Sequence, residues 1–560
     1  LTRLLQNSGA SESIIGKVPL MKGAYRRGED REQALLLPER VEDYITEDSI
    51  VRVIDVFVDE MSCGGEDSSL PPLREMTGAG GSQGYSPLTY AKLLIWGYVN
   101  RVRSTRRLET ETKRNLELIW LLQKLTPDHS SISRFRKANR KRIKRWLKEF
   151  NLVCAQLGLI GGEELGVDGV FLKAVNSKAN NHTQKRIKAR LEKLSLQIEE
   201  YLTALETSEE QDVVAEGESK SGRPLSENLA ELRAARERAQ AMLEQAQQSP
   251  TGQYSEIDPD ARLLKKKSAP GSSVVGYLAQ SAVDSKEHLI VAAEVTTAGK
   301  DVGQLSPTLE AAEEVLPSPE GKDEEEADDK DQKQRRVLAD GGYFSINDLA
   351  DCEAKGWAPY VPTYPQRRSQ SKAGLYATEQ FIYDPETDSY HCPASKELER
   401  RGQYRAGEAT YQTYYAIKAC RECPMKERCT QASYRKIHRH ESQATVERMR
   451  ERQAKDPEAH RRRASLVEHP FGSMMYWNQG RDLLCRGKQS AQAEFTLSAL
   501  AYNLKRAVKV VGVAKLIEAI KAGSQWHLIQ RLTLGIAQAT RKHIKAFSKM
   551  FSPQIFTETG

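Results

Sequence analysis

Cysteine is scarce in this 560-residue chain: the eight present are too few for a disulfide scaffold, and their clustering points to a dedicated use. A reducing cytosol is therefore the expected setting. Long apolar runs are absent too, since no stretch of about 18 residues could span a membrane, so an integral membrane protein is not expected. Leu1-Thr-Arg-Leu-Leu5 offers neither an apolar segment nor a small-residue cleavage pattern, so no secretory leader is expected, and with residue 1 not Met the reading leaves room for a start upstream. Neither sign of charge dominates: 84 Lys and Arg against 77 Asp and Glu leave a net +7. With 39% hydrophobic and 29% charged residues the composition is that of a globular protein. Its length exceeds one ordinary core, so three or four structural units are expected, several of them insertions.

The distribution of charge says more than its total. Between Arg101 and Lys148 there are 16 Lys/Arg against 4 Asp/Glu, a surplus of 12, which is the footprint of a surface for a polyanion. Helical periodicity accompanies it. Val51, Val53, Ile54, Val56 and Phe57 form an apolar face after an N-cap at Asp48 or Ser49, and Ser86-Pro87 opens a second helix. Two further helical stretches run from Thr105 to Leu125 and from Ser130 to Phe150, around the break Thr126-Pro127-Asp128-His129. A turn followed by a basic helix suits a helix-turn-helix-like reader of DNA, and a solvated helical face is the other reading of the same run. On one continuous helix Ser133, Arg136, Lys137 and Arg140 share a groove-facing side, while Arg134, Lys141 and Arg145 lie on a neighbouring, phosphate-holding one. Arg101, Arg103, Arg106 and Arg107 belong to the same expected DNA surface.

After Gly161-Gly162 the pattern becomes a strand, Leu165 to Val175, carrying Asp168. Residues 183–254 read as a helical hairpin, with one stripe of Ile187, Leu191, Leu194, Ile198 and Leu205 and another of Leu225, Leu229, Leu232, Ala239 and Met242. Two antiparallel strands follow, Ser273 to Val283 and His288 to Thr296, then a helix from Asp301 to Val315. The acidic run Asp323 to Asp329 reads as a solvated loop. Arg336 to Ala339 is a short strand delivering Asp340 at its end. Residues 357–440 are an island rich in Tyr, Pro and Cys, and helical pattern returns from about 458, with Glu468 in it. The tail from Ala507 to Phe551 alternates apolar and basic residues. It packs on the body, dimerises or touches DNA, and the sequence does not choose among these.

Two constellations carry chemistry. Asp168 and Asp340 at strand ends and Glu468 on a helix follow the order of a ribonuclease-H-like sheet split by insertions. Oxygen-only ligands suit two magnesium or manganese ions, which would activate a water or a terminal hydroxyl and stabilise the leaving oxygen of a phosphodiester. Solvated or turn roles are the alternative for acids met singly. The second is Cys392, Cys420, Cys423 and Cys429, with gaps of 27, 2 and 5 residues, which fits a structural zinc site stapling a small segment. Four reduced thiols are the alternative, and His438 or His440 could replace one ligand. Cys63, Cys154, Cys352 and Cys485 read as core residues.

The wording around the three acids resembles that of bacterial insertion-sequence DDE transposases. The similar stretches are Val167-Asp-Gly-Val with Lys173 and Asn176-Ser177; Ile257-Asp-Pro-Asp-Ala-Arg-Leu263; Leu338-Ala-Asp-Gly-Gly-Tyr-Phe-Ser345; Val467-Glu-His-Pro-Phe-Gly472; and Arg486-Gly487 to Ala493-Glu-Phe-Thr-Leu-Ser-Ala-Leu-Ala-Tyr-Asn503. The resemblance spans roughly residues 35–510. It implies an α/β fold in which a ribonuclease-H-like sheet (161–182, 255–356 and 441–510) is split by the helical hairpin (183–254) and by a Cys-rich, zinc-type insertion (357–440). A flexible arm (1–35) and a helical DNA-binding region (36–160) would precede it, and a helical tail (511–560) would follow. It further implies metal-dependent strand cleavage and transfer at transposon ends, with Asp168, Asp340 and Glu468 as ligands, terminal inverted repeats and target DNA as partners, a homodimer on paired ends, and a nucleoid-associated bacterial cytoplasmic setting. Many such transposases carry Arg four residues before the Glu and Lys seven after it, where this chain has Ala464 and Met475; Arg461, Arg462, Arg463 or Arg481 would then grip the phosphate. Trp477 is expected either to stack on an unpaired base or to pack in the core. A DNA-binding descendant that no longer cuts, a nuclease on the same fold, and a zinc-containing regulator whose acids are structural remain rival readings.

Overall fold

The computed structural model describes residues 40–61, 84–209, 225–249, 252–265, 272–317, 334–363, 374–407, 409–477 and 480–523. The expected arm, Cys63, the acidic run and the tail beyond 523 lie outside them. Two compact units divide the chain, Leu1–Tyr44 and Ile45–Gly560; of the first, a 3-10 turn at Val41–Tyr44 is described.

Helices come first in the larger unit, and local sequence starts them. Ser49 accepts the Val51 N–H and Ser86 the Leu88 N–H, so α1 (Ile50–Glu60) and α2 (Pro87–Val99) begin at hydroxyl caps, α2 with proline in its first turn. After α3 (Thr105–Thr112), Asn115 caps α4 (Leu116–Leu121) and Asp128 caps α5 (His129–Ala138). α6 (Arg140–Gln156) follows at once, because Asn139 at φ −109° and ψ 20° interrupts the helix. The single helix expected from Ser130 to Phe150 is therefore two, and helical phase does not carry across Asn139.

β1 (Glu164–Lys173) opens a mixed sheet. β2 (Asn181–Thr183) leads into α7 (Gln184–Glu209), and α8 (Leu225–Gln248) returns to β3 (Gln253–Ser255), which pairs antiparallel with β2 at the root of the hairpin. β4 (Arg262–Lys265), β5 (Ser273–Asp284) and β6 (Ile290–Thr296) are antiparallel: β5 pairs with β1 from Leu165↔Asp284 to Lys173↔Gly276, and with both β4 and β6. A Cβ on Gly276 would lie 1.8 Å from the Leu172 carbonyl oxygen, so a side chain there would force β5 off β1. α9 (Leu305–Glu313) precedes β7 (Arg335–Leu338), and α10 (Ile346–Ala354) precedes β8 (Trp357–Tyr360). β7 runs parallel to β1 and β8 parallel to β7, giving the order β5-β1-β7-β8.

A second, antiparallel sheet follows, in the order β13-β12-β11-β10-β9. It comprises β9 (Ile382–Asp384), β10 (Ser389–His391), β11 (Glu397–Ala406), β12 (Ala409–Tyr415) and β13 (Ile437–His440), with short helices α11 (Ile417–Arg421) and α12 (Lys426–Cys429) before the last strand. Phe381, Tyr390, Leu398, Tyr414 and Ile437 form a small core of its own. α13 (Gln443–Lys455) returns to the first sheet, where Arg448 and Arg452 pair with Glu353 of α10. α14 (Ala459–Phe471) contains Pro470 in its last turn and passes into a π-helical turn, Gly472–Trp477.

α15 (Lys488–Val511) is buried continuously from Ser490 to Leu504. It packs against α2, α6 and β6, and one hydrophobic core runs through the N-terminal helices and the sheet. Its polar side chains are satisfied by what surrounds it. Gln492 accepts the Val295 N–H at 2.7 Å and donates to the Ala293 carbonyl at 2.6 Å. Asn503 accepts the Ile290 N–H at 2.9 Å and donates to the Ile290 carbonyl at 2.9 Å and to Asn151 Oδ1 at 2.8 Å. Replacing Asn503 with Ala strands the buried Ile290 N–H, and stability should fall by about 3 kcal/mol. Urea unfolding would read this as a lower midpoint at unchanged slope; an unchanged midpoint would mean that water takes the amide's place.

Candidate functional site

Strand register brings the two aspartates together. β7 aligns Leu338 with Gly166 in parallel, so Asp340, two residues on, comes level with Asp168. Asp168 Oδ1 accepts the Gly169 N–H at 2.8 Å, and Asp340 Oδ1 accepts the Gly342 N–H at 2.8 Å, capping a 3-10 turn. Burial pushes the Asp168 carboxyl above its ordinary range, and the charge of Asp340 adds to the rise, while Arg463 and the Gly169 N–H oppose it. Arg463 Nη1 lies 3.1 Å from Asp168 Oδ2. Neither that nitrogen nor Nε makes a well-formed hydrogen bond, although both are buried.

Beneath the pair lies a polar layer that the sequence did not single out. Tyr343, fully buried, donates its hydroxyl to Gln280, and Gln280 Nε2 donates to Asp301 Oδ1 at 3.3 Å. Burial, then the charges of Asp301, Asp168 and Asp340, push the Tyr343 hydroxyl well above its ordinary range. Gln280 is the cross-strand partner of Gly169, the residue after Asp168; that register was the available signal.

α14 packs directly on β1: a Cβ on Gly166 would meet Val467 at 3.0 Å and Leu466 at 3.1 Å. Glu468 follows these on the same helix, but its side chain is exposed. Among the described residues no group of three or more His, Cys, Asp or Glu is spaced to hold a metal ion. The three expected ligands are thus two neighbours and one acid on an adjoining helix. Of the arginines offered for the phosphate, Arg461 pairs with Glu458, Arg462 with Glu164 and Asp456, and Arg463 with Asp168. Arg481 is exposed, and its backbone carbonyl accepts the Lys173 N–H. Lys173 itself pairs with Asp482 at 3.1 Å. Met475 is buried, and the Trp477 side chain lies outside the described residues.

The expected DNA surface needs two corrections. Arg103 is buried, and its Nη2 donates to Glu494 at 2.7 Å and to the Asp482 carbonyl at 2.9 Å. Arg136 is buried beside Tyr98, Cys485 and Glu494, so it has no groove-facing side. The physical reason is Glu494: almost fully buried on α15, it needs cationic and N–H partners, and the Leu484 and Cys485 amides supply the rest. Arg140 donates to Ser490 at 3.0 Å. Arg101, Arg106, Arg107, Arg134, Lys137 and Lys141 are exposed.

All four clustered thiols line one cavity of about 20 Å³, together with Tyr376, Phe381 and Leu398, room for about one water-sized group. They are free cysteines. Burial pushes the Cys429 thiol up, and Cys420, Cys392 and Cys423 add to the rise against Arg435. His438 and His440 do not line this cavity, which removes them as substitute ligands.

Two family models match the chain. One, described as "Transposase DDE domain", covers residues 391–508, and one described as "Transposase domain" covers residues 39–138. The first holds Glu468 and Glu494 and the second holds Arg103 and Arg136, so the buried ion pair joins the two matched regions. No curated protein and no solved structure matches. Because the buried Glu494 would lose its ion-pair partner and keep only the Leu484 and Cys485 amides and the nearby Arg136, Arg103→Ala should cost about 3 kcal/mol in stability. Denaturant unfolding checks this; unaltered stability with weaker DNA binding would return Arg103 to the DNA surface.

Proposed function

We propose that this chain is an insertion-sequence DDE transposase, a reading that its two family matches support, and that it binds transposon ends and carries out metal-dependent strand cleavage and strand transfer, the cut-and-paste reaction. The observation that carries the reading is the pair Asp168, within β1, and Asp340, just past the end of the neighbouring β7, with the Glu468 helix packed on β1. Within the six-stranded sheet β1, β5 and β6 run antiparallel in turn and β7 and β8 run parallel to β1, with Asp168 inside β1 and Asp340 just past β7, which supports taking the sheet as ribonuclease-H-like.

An oxygen-only donor set fits magnesium or manganese, and Asp168 already faces a cationic group in Arg463. Asp168 and Asp340 would hold the ions, with Glu468 as the third ligand. Bound there, the ions supply Lewis acidity and a deprotonated oxygen nucleophile. Arg463, whose buried Nε makes no hydrogen bond and whose Nη1 is ion-paired with Asp168, offers a donor to a phosphate oxygen. Exposed Arg106, Arg107, Arg134, Lys137 and Lys141, with Arg101 and Arg481, hold the duplex backbone. Two ends must be joined in concert, so a homodimer is the working assembly. No helix among the described residues is long and apolar enough to cross a membrane, in keeping with work on DNA in the cytoplasm.

A DNA-binding protein that no longer cuts is the second reading, favoured by the exposed Glu468 and by the Arg463 contact on Asp168. Cleavage separates the two. Asp168→Asn, Asp340→Asn and Glu468→Gln should each abolish Mg²⁺-dependent nicking of the element's own end DNA while leaving duplex affinity near that of the parent. A variant that cuts at the parental rate removes its residue from the ligand set, and a parent that never cuts favours the second reading.

The thiol cavity supports a structural zinc held by Cys392, Cys420, Cys423 and Cys429. Four thiols lining one cavity are a donor set that suits a tetrahedral ion, which would draw them closer than they stand here. Cys420→Ser should release the zinc and loosen the second sheet, whose own core is five residues, since such sites contribute folding free energy of about 10 kcal/mol. Elemental analysis and thiol titration of the purified chain decide it: no zinc and four titratable thiols would sink the assignment.

A further inference from the structure

The face of the second sheet that points away from its core is lined with rings. Tyr414 of β12 lies in the core, so by the period of two Tyr411, Thr413 and Tyr415 lie on the opposite face. Tyr404 of β11 pairs with Tyr411 across the ladder and stacks on it, with centroids 5.3 Å apart and planes 12° from parallel. From β13, His438 stands edge-on to Tyr404 at 5.2 Å and His440 edge-on to Tyr411 at 5.2 Å. Lys436 Nζ lies 5.2 Å from the Tyr434 ring and 5.9 Å from the Tyr415 ring. Tyr404 is 42% exposed, His438 and Lys436 are exposed, Tyr411, Tyr415 and Tyr434 are half-buried, and His440 is buried at the edge of this face.

Folding alone does not account for these rings. The sheet's core is complete on the other face, and the solvated face of an antiparallel sheet is ordinarily polar. Charge indicates the partner. Between Lys396 and His440 there are eleven Lys/Arg against five Glu; Arg435 and Arg439 are buried, and Lys436 stands beside the rings of this face. Flat rings beside cations offer what a polyanion with planar groups requires: a stacking surface for each base and charge for each phosphate. A duplex hides its bases, so the rings favour an unpaired strand.

We propose that the open face of this sheet, centred on Tyr404 and Tyr411 with Lys436 beside them, binds single-stranded DNA by stacking its unpaired bases. The inference rests on the DNA-processing reading above and adds to it a second DNA surface, separate from the aspartate pair and from the basic helices.

Fluorescence anisotropy of the full chain with a labelled single strand of about 20 nucleotides, and with the matching duplex, tests it. Tyr404→Ala combined with Tyr411→Ala should weaken single-strand affinity by about tenfold or more and leave duplex affinity within about twofold. Tyr404→Phe combined with Tyr411→Phe should keep both within about twofold, because the ring and not the hydroxyl makes the stack. Parental single-strand affinity in the alanine pair, or equal losses on both DNAs, overturns the proposal. Photocross-linking of the parent chain to a bromodeoxyuridine-substituted single strand needs no variant: adducts on residues 397–415 or 434–440 are expected, and adducts only elsewhere overturn it. Cleavage of transposon ends without adducts on this sheet overturns this inference alone, whereas adducts without cleavage overturn the nicking reading alone.

Discussion

Everything else hangs on the burial of α15. A helix enclosed on all sides can carry Gln492, Glu494 and Asn503 only if their polar atoms find partners, since an unmade hydrogen bond in the interior costs about 1–3 kcal/mol. The partners come from different parts of the chain: β6 for Gln492 and Asn503, α6 through Asn151, and the segment after α2 through Arg103. These demands fix the N-terminal helices against the sheet. The basic helices are therefore not a separate reader on a linker but one wall of the body that holds the aspartates. Under the proposed function, DNA on their exposed cations would lie at a set distance from the two aspartates.

The same logic governs the aspartate pair. Two like charges on adjacent strands in a partly buried site repel, and Arg463 relieves that repulsion from one side. The relief is incomplete, because Asp168 still sits above its ordinary range. A site in this condition favours added positive charge. Tyr343, Gln280 and Asp301 form a hydrogen-bonded layer next to it, close enough for the charges of both aspartates to act on the Tyr343 hydroxyl.

Much of this was legible in the sequence because it is local. Hydroxyl and carboxylate caps start α1, α2 and α5 where Ser49, Ser86 and Asp128 stand, and alternation located β5 and β6 within a residue or two. Pairing across distance was not legible. Arg103 and Glu494 are 391 residues apart, and a charge run carries no mark of which members turn inward. The break at Asn139 escaped for a different reason: a residue tolerated in helix interiors can also end one, and the choice was made by packing of Ile132 and Ile143 into the common core. The thiol spacing indicated convergence, but not that the alternate tyrosines of β12 would face outward beside Lys436.

The clasp of β2 on β3 has a consequence for how such a chain can vary. A hairpin of two antiparallel helices returns to its starting point whatever its length, and Asn181 meets Ser255 at that point. Whole turns can be added to or removed from α7 and α8 without moving β1 or β4, so the arm's reach and the geometry of the aspartates are free to evolve independently.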